Sequence, residues 1–157
     1  MKPKVYLETT IISYLAARQS RDIIVRSHQA ATLAWWNTRR NDFELLISEA
    51  VLDEIQRGDP RLAARHVALV RLLKVVDTTA LAAQLARDLV AKRALPSIAA
   101  ADALHIGVAT ANGVDFLLSW NFRHIVNAQM RHRIEQVCSD RGFAAPTICT
   151  PEELMRD

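Results

Sequence analysis

The chain has 157 residues, of which half are hydrophobic and only four are glycine, so a disordered or collagen-like chain is excluded. This length is typical of one domain that buries its own core. Twenty Lys and Arg against seventeen Asp and Glu give a net charge of +3, which permits an anionic partner such as nucleic acid without requiring one.

Short apolar runs predict five strands, at residues 4–7, 43–47, 74–77, 115–118 and 147–149. Helical patterns lie between these runs, and strands that alternate with helices favour an α/β sandwich around a mostly parallel sheet. The sequence shows no internal repeat, low-complexity tract or linker.

The first predicted helix is long, covers residues 22–40 and pairs with the segment before it. It carries Trp35 and Trp36. We expect these two side chains in the core or at a subunit interface rather than as a surface on which nucleic-acid bases stack.

Recognisable ends mark the next two helices. Ser48 can cap a helix that stops at Gly58. Asp59 and Pro60 then supply a cap and a first-turn proline for a helix that runs to about residue 73.

Three further signals complete the pattern. One helix is predicted at residues 79–93, and an Ala-rich helix at residues 96–113. Near the end, Thr150 and Glu153 have the spacing of a capping box.

No run reaches the roughly 18 uncharged apolar residues that a membrane-spanning helix needs. The start, MKPKVYLE, places an acid where a secretory signal needs its apolar centre, so we expect no export signal. Cys138 and Cys149 are too few for a disulfide framework or a four-ligand zinc site. The predicted location is therefore the reducing cytoplasm.

Four polar residues follow the predicted strands. Glu8 comes directly after the first strand, Glu54 lies on the helix after the second, Asp102 lies near the start of the Ala-rich helix, and Asn121 follows the fourth strand. Ligands of open parallel sheets bind beyond the carboxyl ends of the strands, so these groups are expected to share one sheet edge. For Glu8 a simpler explanation stays open, because acids are favoured at helix starts.

Asp102 is the only charged residue between Arg93 and Asp115, in a helix otherwise built to be buried. A buried carboxylate without a partner is costly or becomes protonated. A divalent cation is the partner that several carboxylates share. A lone salt bridge or a helix-start acid is the alternative.

Four segments, in this order, together resemble the PIN domain: VYLETT, SEAVLDEI, AADALHIGVATANGVDFLLSWNFRHI and ICTPEEL. The closest likeness is to the VapC-like toxins of bacterial and archaeal toxin–antitoxin pairs, and it covers nearly the whole chain. The resemblance implies a single PIN-like domain over residues 1–157, a three-layer α/β/α sandwich with a mostly parallel sheet of about five strands. It also implies Mg²⁺ or Mn²⁺ held by three or four acids.

The resemblance also implies the catalytic residues. The family's first acid, usually Asp, matches Glu8; its second matches Glu54 and its third matches Asp102. The fourth acid usually stands two positions after a Thr or Ser, and here Asn121 occupies that place after Ser119.

Two departures from the family pattern affect the metal. Glu8 is one methylene longer than Asp, and Asn121 is uncharged although its oxygen can still bind a cation. We therefore expect Glu8, Glu54 and Asp102 to hold one metal ion, with a second ion that needs the substrate phosphate. Asp53 points about 100° away from Glu54 around a helix and is the poorer candidate.

Other side chains are expected around these ligands. Ser119 and Arg123 are predicted to contact the substrate, with a role for Ser119 in holding water or orienting a neighbour left open. Thr9 and His105 are predicted to support the ligands, and His105 lies three residues beyond Asp102 on nearly the same helix face. The alternatives are a core histidine for His105 and simple solvation for Arg123.

These expectations describe a metal-dependent endoribonuclease. The resemblance implies an RNA substrate, a protein antitoxin partner and a homodimer. The alternative is a PIN-fold binding protein that has lost turnover, which Asn121 favours. A phosphatase or nucleotide-binding enzyme is disfavoured, because the sequence has no glycine-rich phosphate loop and VYLETT has no Asp nucleophile.

Overall fold

The structure is a computed structural model that describes residues 1–155. Its five strands are β1 (Lys4–Leu7), β2 (Glu44–Ser48), β3 (Lys74–Val76), β4 (Phe116–Leu118) and β5 (Thr147–Cys149). They form one sheet in the order β3-β2-β1-β4-β5, and every neighbouring pair is parallel. The predicted α/β class and five strands are confirmed, and the sheet is wholly rather than mostly parallel.

The α-helices of the described residues are α1 (Thr9–Ala16), α2 (Ile23–Arg39), α3 (Glu49–Gln56), α4 (Ala63–Val70), α5 (Ala80–Ala91), α6 (Ala100–Ala111) and α7 (Ala128–Asp140). Helix α1 packs on α2, α3 and α4, whereas α5 packs on α6 and α7. Right-handed crossovers between parallel strands place these two groups on opposite faces of the sheet. The result is the three-layer α/β/α sandwich that the sequence predicts. None of these helices has the length and apolar character to cross a bilayer.

Several helix ends differ from the prediction. The helix expected through residue 73 is a 3₁₀ turn at Pro60–Leu62 followed by α4, which ends at Val70. Ser48 precedes α3 as predicted but does not cap it, because its hydroxyl is engaged elsewhere. The capping box at Thr150 is confirmed, since its backbone N donates to Glu153 Oε2 at 2.8 Å.

Strand β1 lies at the centre of the sheet. Its residues Val5, Tyr6 and Leu7 are completely buried, as expected for a strand covered by helices on both faces. Trp35 and Trp36 of α2 are also buried, which confirms their predicted place in the core.

The chain order creates a switch point between β1 and β4. From β1 the chain moves outward to β2 and β3, and then returns through α5 and α6 to β4 on the other side of β1. Leu7 and Leu118 are paired at the carboxyl ends of these two strands. Glu8 and Ser119 are the next residues, so they stand at the place where open α/β sheets bind ligands.

Candidate active site

Glu8 lies at the switch point and is almost wholly buried, with 3% of its surface exposed. The backbone N of Thr10 donates to Glu8 Oε2 at 2.7 Å, and Ser119 Oγ donates to Glu8 Oε1 at 2.8 Å. Glu8 is therefore also the N-cap of α1, the simpler role that the sequence left open. Among residues 1–155 its carboxylate forms no salt bridge.

The environment of Glu8 leaves its charge poorly compensated. Burial raises the pKa of Glu8 above its ordinary 4.5, and the charge of His105 with the hydrogen bonds from Thr10 and Ser119 offsets this only in part. A raised pKa means that the charged carboxylate is less favourable in the folded protein than in the unfolded chain. A bound cation would supply the missing positive charge, so Glu8 fits a metal site.

Glu8→Gln is expected to stabilise the metal-free protein at neutral pH. Because the folded pKa lies above the unfolded value, the folded state of the parent loses stability as pH rises from about 4.5 through the folded pKa. Urea unfolding in EDTA across this pH range measures the effect. The variant should show a flatter pH dependence than the parent, and an equally steep decline would contradict the assignment. Glu135→Gln, at an exposed position on α7, is the matched control.

Glu54 is held by a chain of buried hydrogen bonds. Its Oε1 lies 2.8 Å from His105 Nε2, and His105 Nδ1 lies 2.7 Å from the Tyr6 hydroxyl. The Tyr6 hydroxyl in turn lies 2.7 Å from Ser48 Oγ. Since the carboxylate can only accept, His105 donates from Nε2, and its Nδ1 shares the next hydrogen bond with the Tyr6 hydroxyl. This chain fixes the orientation of Glu54 from the centre of the sheet.

The electrostatics of Glu54 differ from those of Glu8. Burial by itself raises the pKa of Glu54, but the hydrogen bond and charge of His105 outweigh it and hold the pKa below its ordinary 4.5. His105 is 1% exposed, so it is both a core histidine and the partner of a candidate ligand. The sequence predicted that His105 would support Asp102, because the two residues share a helix face. In the structure His105 instead contacts Glu54.

Asp102 has neutral and histidine partners. Asn121 Nδ2 donates to Asp102 Oδ1 at 3.0 Å, and His124 Nδ1 lies 3.0 Å from Asp102 Oδ2. The side chain is 24% exposed. Asp102 is therefore a partly exposed, paired acid near the start of α6, which matches the salt-bridge and helix-start alternatives that the sequence left open. Its place among the metal ligands stays a prediction.

His124 was assigned no role from the sequence, yet the structure places it against Asp102. Its position follows from two turns. Ser119 Oγ accepts from the backbone N of Asn121 at 2.9 Å, and Asn121 Oδ1 accepts from the backbone N of His124 at 3.0 Å. Ser and Asn side chains form such local turns readily, so the spacing from Ser119 to His124 was the available signal.

The remaining predicted site residues occupy different environments. Ser119 is completely buried and donates to Glu8, so its predicted contact with substrate is corrected to an orienting role. Thr9 Oγ1 is buried beside Glu8 in the chain and has no hydrogen-bond partner within the described part of the structure. Arg123 is exposed, and so is Asp53 on α3, consistent with its rejection as a ligand.

The donor set fits a cation that prefers oxygen. Glu8, Glu54 and Asp102 provide three carboxylates from different segments at the carboxyl edge of the sheet. Across residues 1–155, no three His, Cys, Asp or Glu side chains already converge on one point. Glu54 and Asp102 are each engaged by a histidine, so a cation would compete with those contacts.

Comparison by sequence finds no relative: no protein-family model matches the chain, and no curated protein matches it. Comparison by structure does find similar proteins. VapBC2 from Rickettsia felis, bound to a DNA fragment from its promoter, is similar with a TM-score of 0.63 at 16% identity, over 93% of this chain and 97% of the other.

Two further structures show the same likeness. VapC20 of Mycobacterium tuberculosis, described as a Sarcin-Ricin loop cleaving toxin, matches with a TM-score of 0.60 at 16% identity, over 76% of this chain and 92% of the other. DNA-bound VapBC from Salmonella typhimurium matches with a TM-score of 0.56 at 19% identity, over 96% of this chain and 99% of the other. The chain therefore has the fold of these VapC proteins, a PIN-like three-layer α/β/α sandwich.

Proposed function

We propose that the protein is a metal-dependent endoribonuclease and the toxin of a toxin–antitoxin pair. The observation that carries this proposal is Glu8, a buried carboxylate at the switch point of the sheet that forms no salt bridge with any residue of 1–155. The fold shared with VapC20, a toxin that cleaves the Sarcin-Ricin loop, supports the reaction class.

Each residue then has a definite task. Glu8, Glu54 and Asp102 would hold Mg²⁺ or Mn²⁺. Such an ion, when bound, activates water and neutralises charge on the phosphodiester that is cut. His105 orients Glu54 through its Nε2 hydrogen bond, at 2.8 Å.

Three more side chains complete the proposed site. Ser119 orients Glu8, and Asn121 orients Asp102, each through a hydrogen bond that it donates. Arg123 is exposed two residues beyond Asn121, where its guanidinium can bind the RNA backbone.

Cleavage of RNA by the purified protein tests the proposal. We expect Mg²⁺ or Mn²⁺ to support cleavage and EDTA to abolish it. Glu54→Gln should slow cleavage about tenfold or more, because Gln keeps an oxygen for His105 but loses the charge that attracts the ion. Asp53→Asn, its exposed neighbour, should cut like the parent.

Two outcomes would overturn the proposal. Equal cleavage by the parent and by Glu54→Gln would indicate a contaminating nuclease. Absence of cleavage by the parent with either ion, in a preparation free of antitoxin, would support the alternative of a PIN-fold binding protein. Asn121 is the residue that favours that alternative, since a neutral side chain stands where a fourth acid is usual.

The partners follow from the same proposal. The structures from Rickettsia felis and Salmonella typhimurium are VapBC complexes bound to DNA, in which the VapC toxin stands together with its antitoxin. We therefore propose a protein antitoxin as the partner of this chain. We further propose a homodimer in the cytoplasm. Sedimentation at micromolar concentrations checks the dimer, and a monomer throughout would exclude it.

A further inference from the structure

An aromatic cluster stands beside the candidate active site. It consists of His28 from α2 and of Trp120 and Phe122 from the segment after β4. The rings of His28 and Trp120 are stacked, with centroids 4.1 Å apart and an angle of 12°. Phe122 meets both at steep angles, 58° and 69°, with centroids 5.7 and 6.0 Å away.

The cluster has a buried residue, Trp120, and an exposed residue, Phe122. Trp120 is 6% exposed, its Nε1 donates to Thr32 Oγ1 at 2.7 Å, and its backbone N donates to Thr10 Oγ1 at 2.9 Å. Phe122 by contrast is 49% exposed. The exposed ring of Phe122 thus packs on the buried, hydrogen-bonded Trp120. A ring that is held in place loses less entropy when a ligand binds to it.

The cluster is continuous with the acids. Phe122 is the neighbour of Asn121, which donates to Asp102, and it is followed by the exposed Arg123. An aromatic ring and a cation for a phosphate therefore follow directly after Asn121, the residue that donates to the candidate metal ligand Asp102. Proteins that bind single-stranded nucleic acid combine these elements, with bases stacked on aromatic rings and phosphates on basic side chains.

We propose that Phe122 stacks on an unpaired RNA base next to the phosphodiester that is cut. The inference rests on the proposed function, because it names how the same site selects its substrate. It predicts a preference for RNA whose bases are unstacked over duplex RNA, since paired bases do not offer a free face to the ring. A protein side chain covering Phe122 is the competing occupant. The adjacent exposed Arg123, whose guanidinium can bind a phosphate, favours the nucleotide.

Binding measured without cleavage tests the proposal. The probe is a short single-stranded oligoribonucleotide that carries one 2-aminopurine, placed at each position in turn, with the protein kept in EDTA. At one or a few positions the parent should quench the fluorescence of 2-aminopurine by stacking. Phe122→Ala should remove this quenching and weaken binding about fivefold or more. Phe122→Trp should retain both, and Leu33→Ala, at an equally exposed aliphatic residue, should change neither.

Phe122→Leu separates an aromatic contact from a merely apolar one. Loss of quenching and of affinity in this variant supports stacking, whereas parent-like affinity overturns it. Phe122→Ala provides a second test. If this variant binds RNA like the parent but binds a protein partner more weakly, the stacking proposal is overturned and the ring belongs to that partner's binding site. Because these readouts need no cleavage, a Phe122-dependent signal in a protein that does not cut would keep the contact between Phe122 and an RNA base and would remove the nuclease and the cut site beside that base.

Discussion

Asp102→Asn is expected to slow RNA cleavage about a thousandfold, the largest effect of any single change at the site. The substitution removes one of the three charges proposed to hold the cation. It also disturbs both existing contacts. Asn121 donates to one oxygen of Asp102, and His124 Nδ1 faces the other at 3.0 Å. An asparagine at position 102 keeps an acceptor for Asn121 only if its NH2 faces His124, whose ring must then change tautomer to accept at Nδ1.

Single-turnover cleavage of the same RNA by parent and variant, each checked by circular dichroism, measures this loss. Asp115→Asn is the matched control. Asp115 is an exposed acid that also accepts a hydrogen bond, from the backbone N of Lys4, but it precedes β4 at the opposite end of the sheet. Asp115→Asn should cut at the parental rate. A folded Asp102→Asn protein that retains a tenth of the parental rate would remove Asp102 from the proposed metal ligands.

Gly107→Ala is expected to lower the free energy of unfolding by about 1–3 kcal/mol or more. At an ordinary helix position the same change stabilises by about 1 kcal/mol, so the sign of the effect is diagnostic. Gly107 lies in the middle of α6, where α5 approaches closely. A Cβ there would overlap the carbonyl oxygen of Ala82 and stand 3.1 Å from the backbone N of Ala86. Because both are backbone atoms, the two helices must separate.

Urea unfolding of parent and variant at one pH measures the change. Ala101→Gly, at an exposed position of the same helix, should cost about 1 kcal/mol through helix propensity alone. Stabilisation by Gly107→Ala would show that α5 and α6 do not approach this closely. Helix α6 also carries Asp102 and His105, so a shift of this helix displaces both side chains. We therefore expect Gly107→Ala to slow RNA cleavage even under conditions in which the variant is fully folded.

The sequence predicted the sheet well for a physical reason. Strands covered on both faces are nearly continuous apolar runs, and β1 and β4 have this character. Helix α7 was not predicted. Its buried residues Ile134, Val137 and Cys138 occupy one stripe of an otherwise polar segment, and such a narrow stripe stands out poorly against the surrounding charges.

The candidate site was only partly predictable. The positions of Glu8 and Ser119 follow from strand ends, which a sequence reveals. Burial of a particular side chain depends on how the layers close over it, so the sequence pointed to burial of Asp102, whereas the structure leaves Asp102 partly exposed and buries Glu8. His124 has no periodic signature at all, because its contact with Asp102 depends on the turns that follow β4.

The central position of β1 has a consequence for the order of folding. Ser119 Oγ and Glu8 Oε1 are joined across 111 residues of chain, and β1 pairs with β4 over the same separation. Non-local pairings of this kind slow folding, and during synthesis the amino-terminal part of a chain leaves the ribosome first. Glu8 is therefore made early but acquires its hydroxyl partner only after Ser119 has emerged. A nascent chain shorter than this cannot assemble the site, so any activity begins only when most of the protein has been translated.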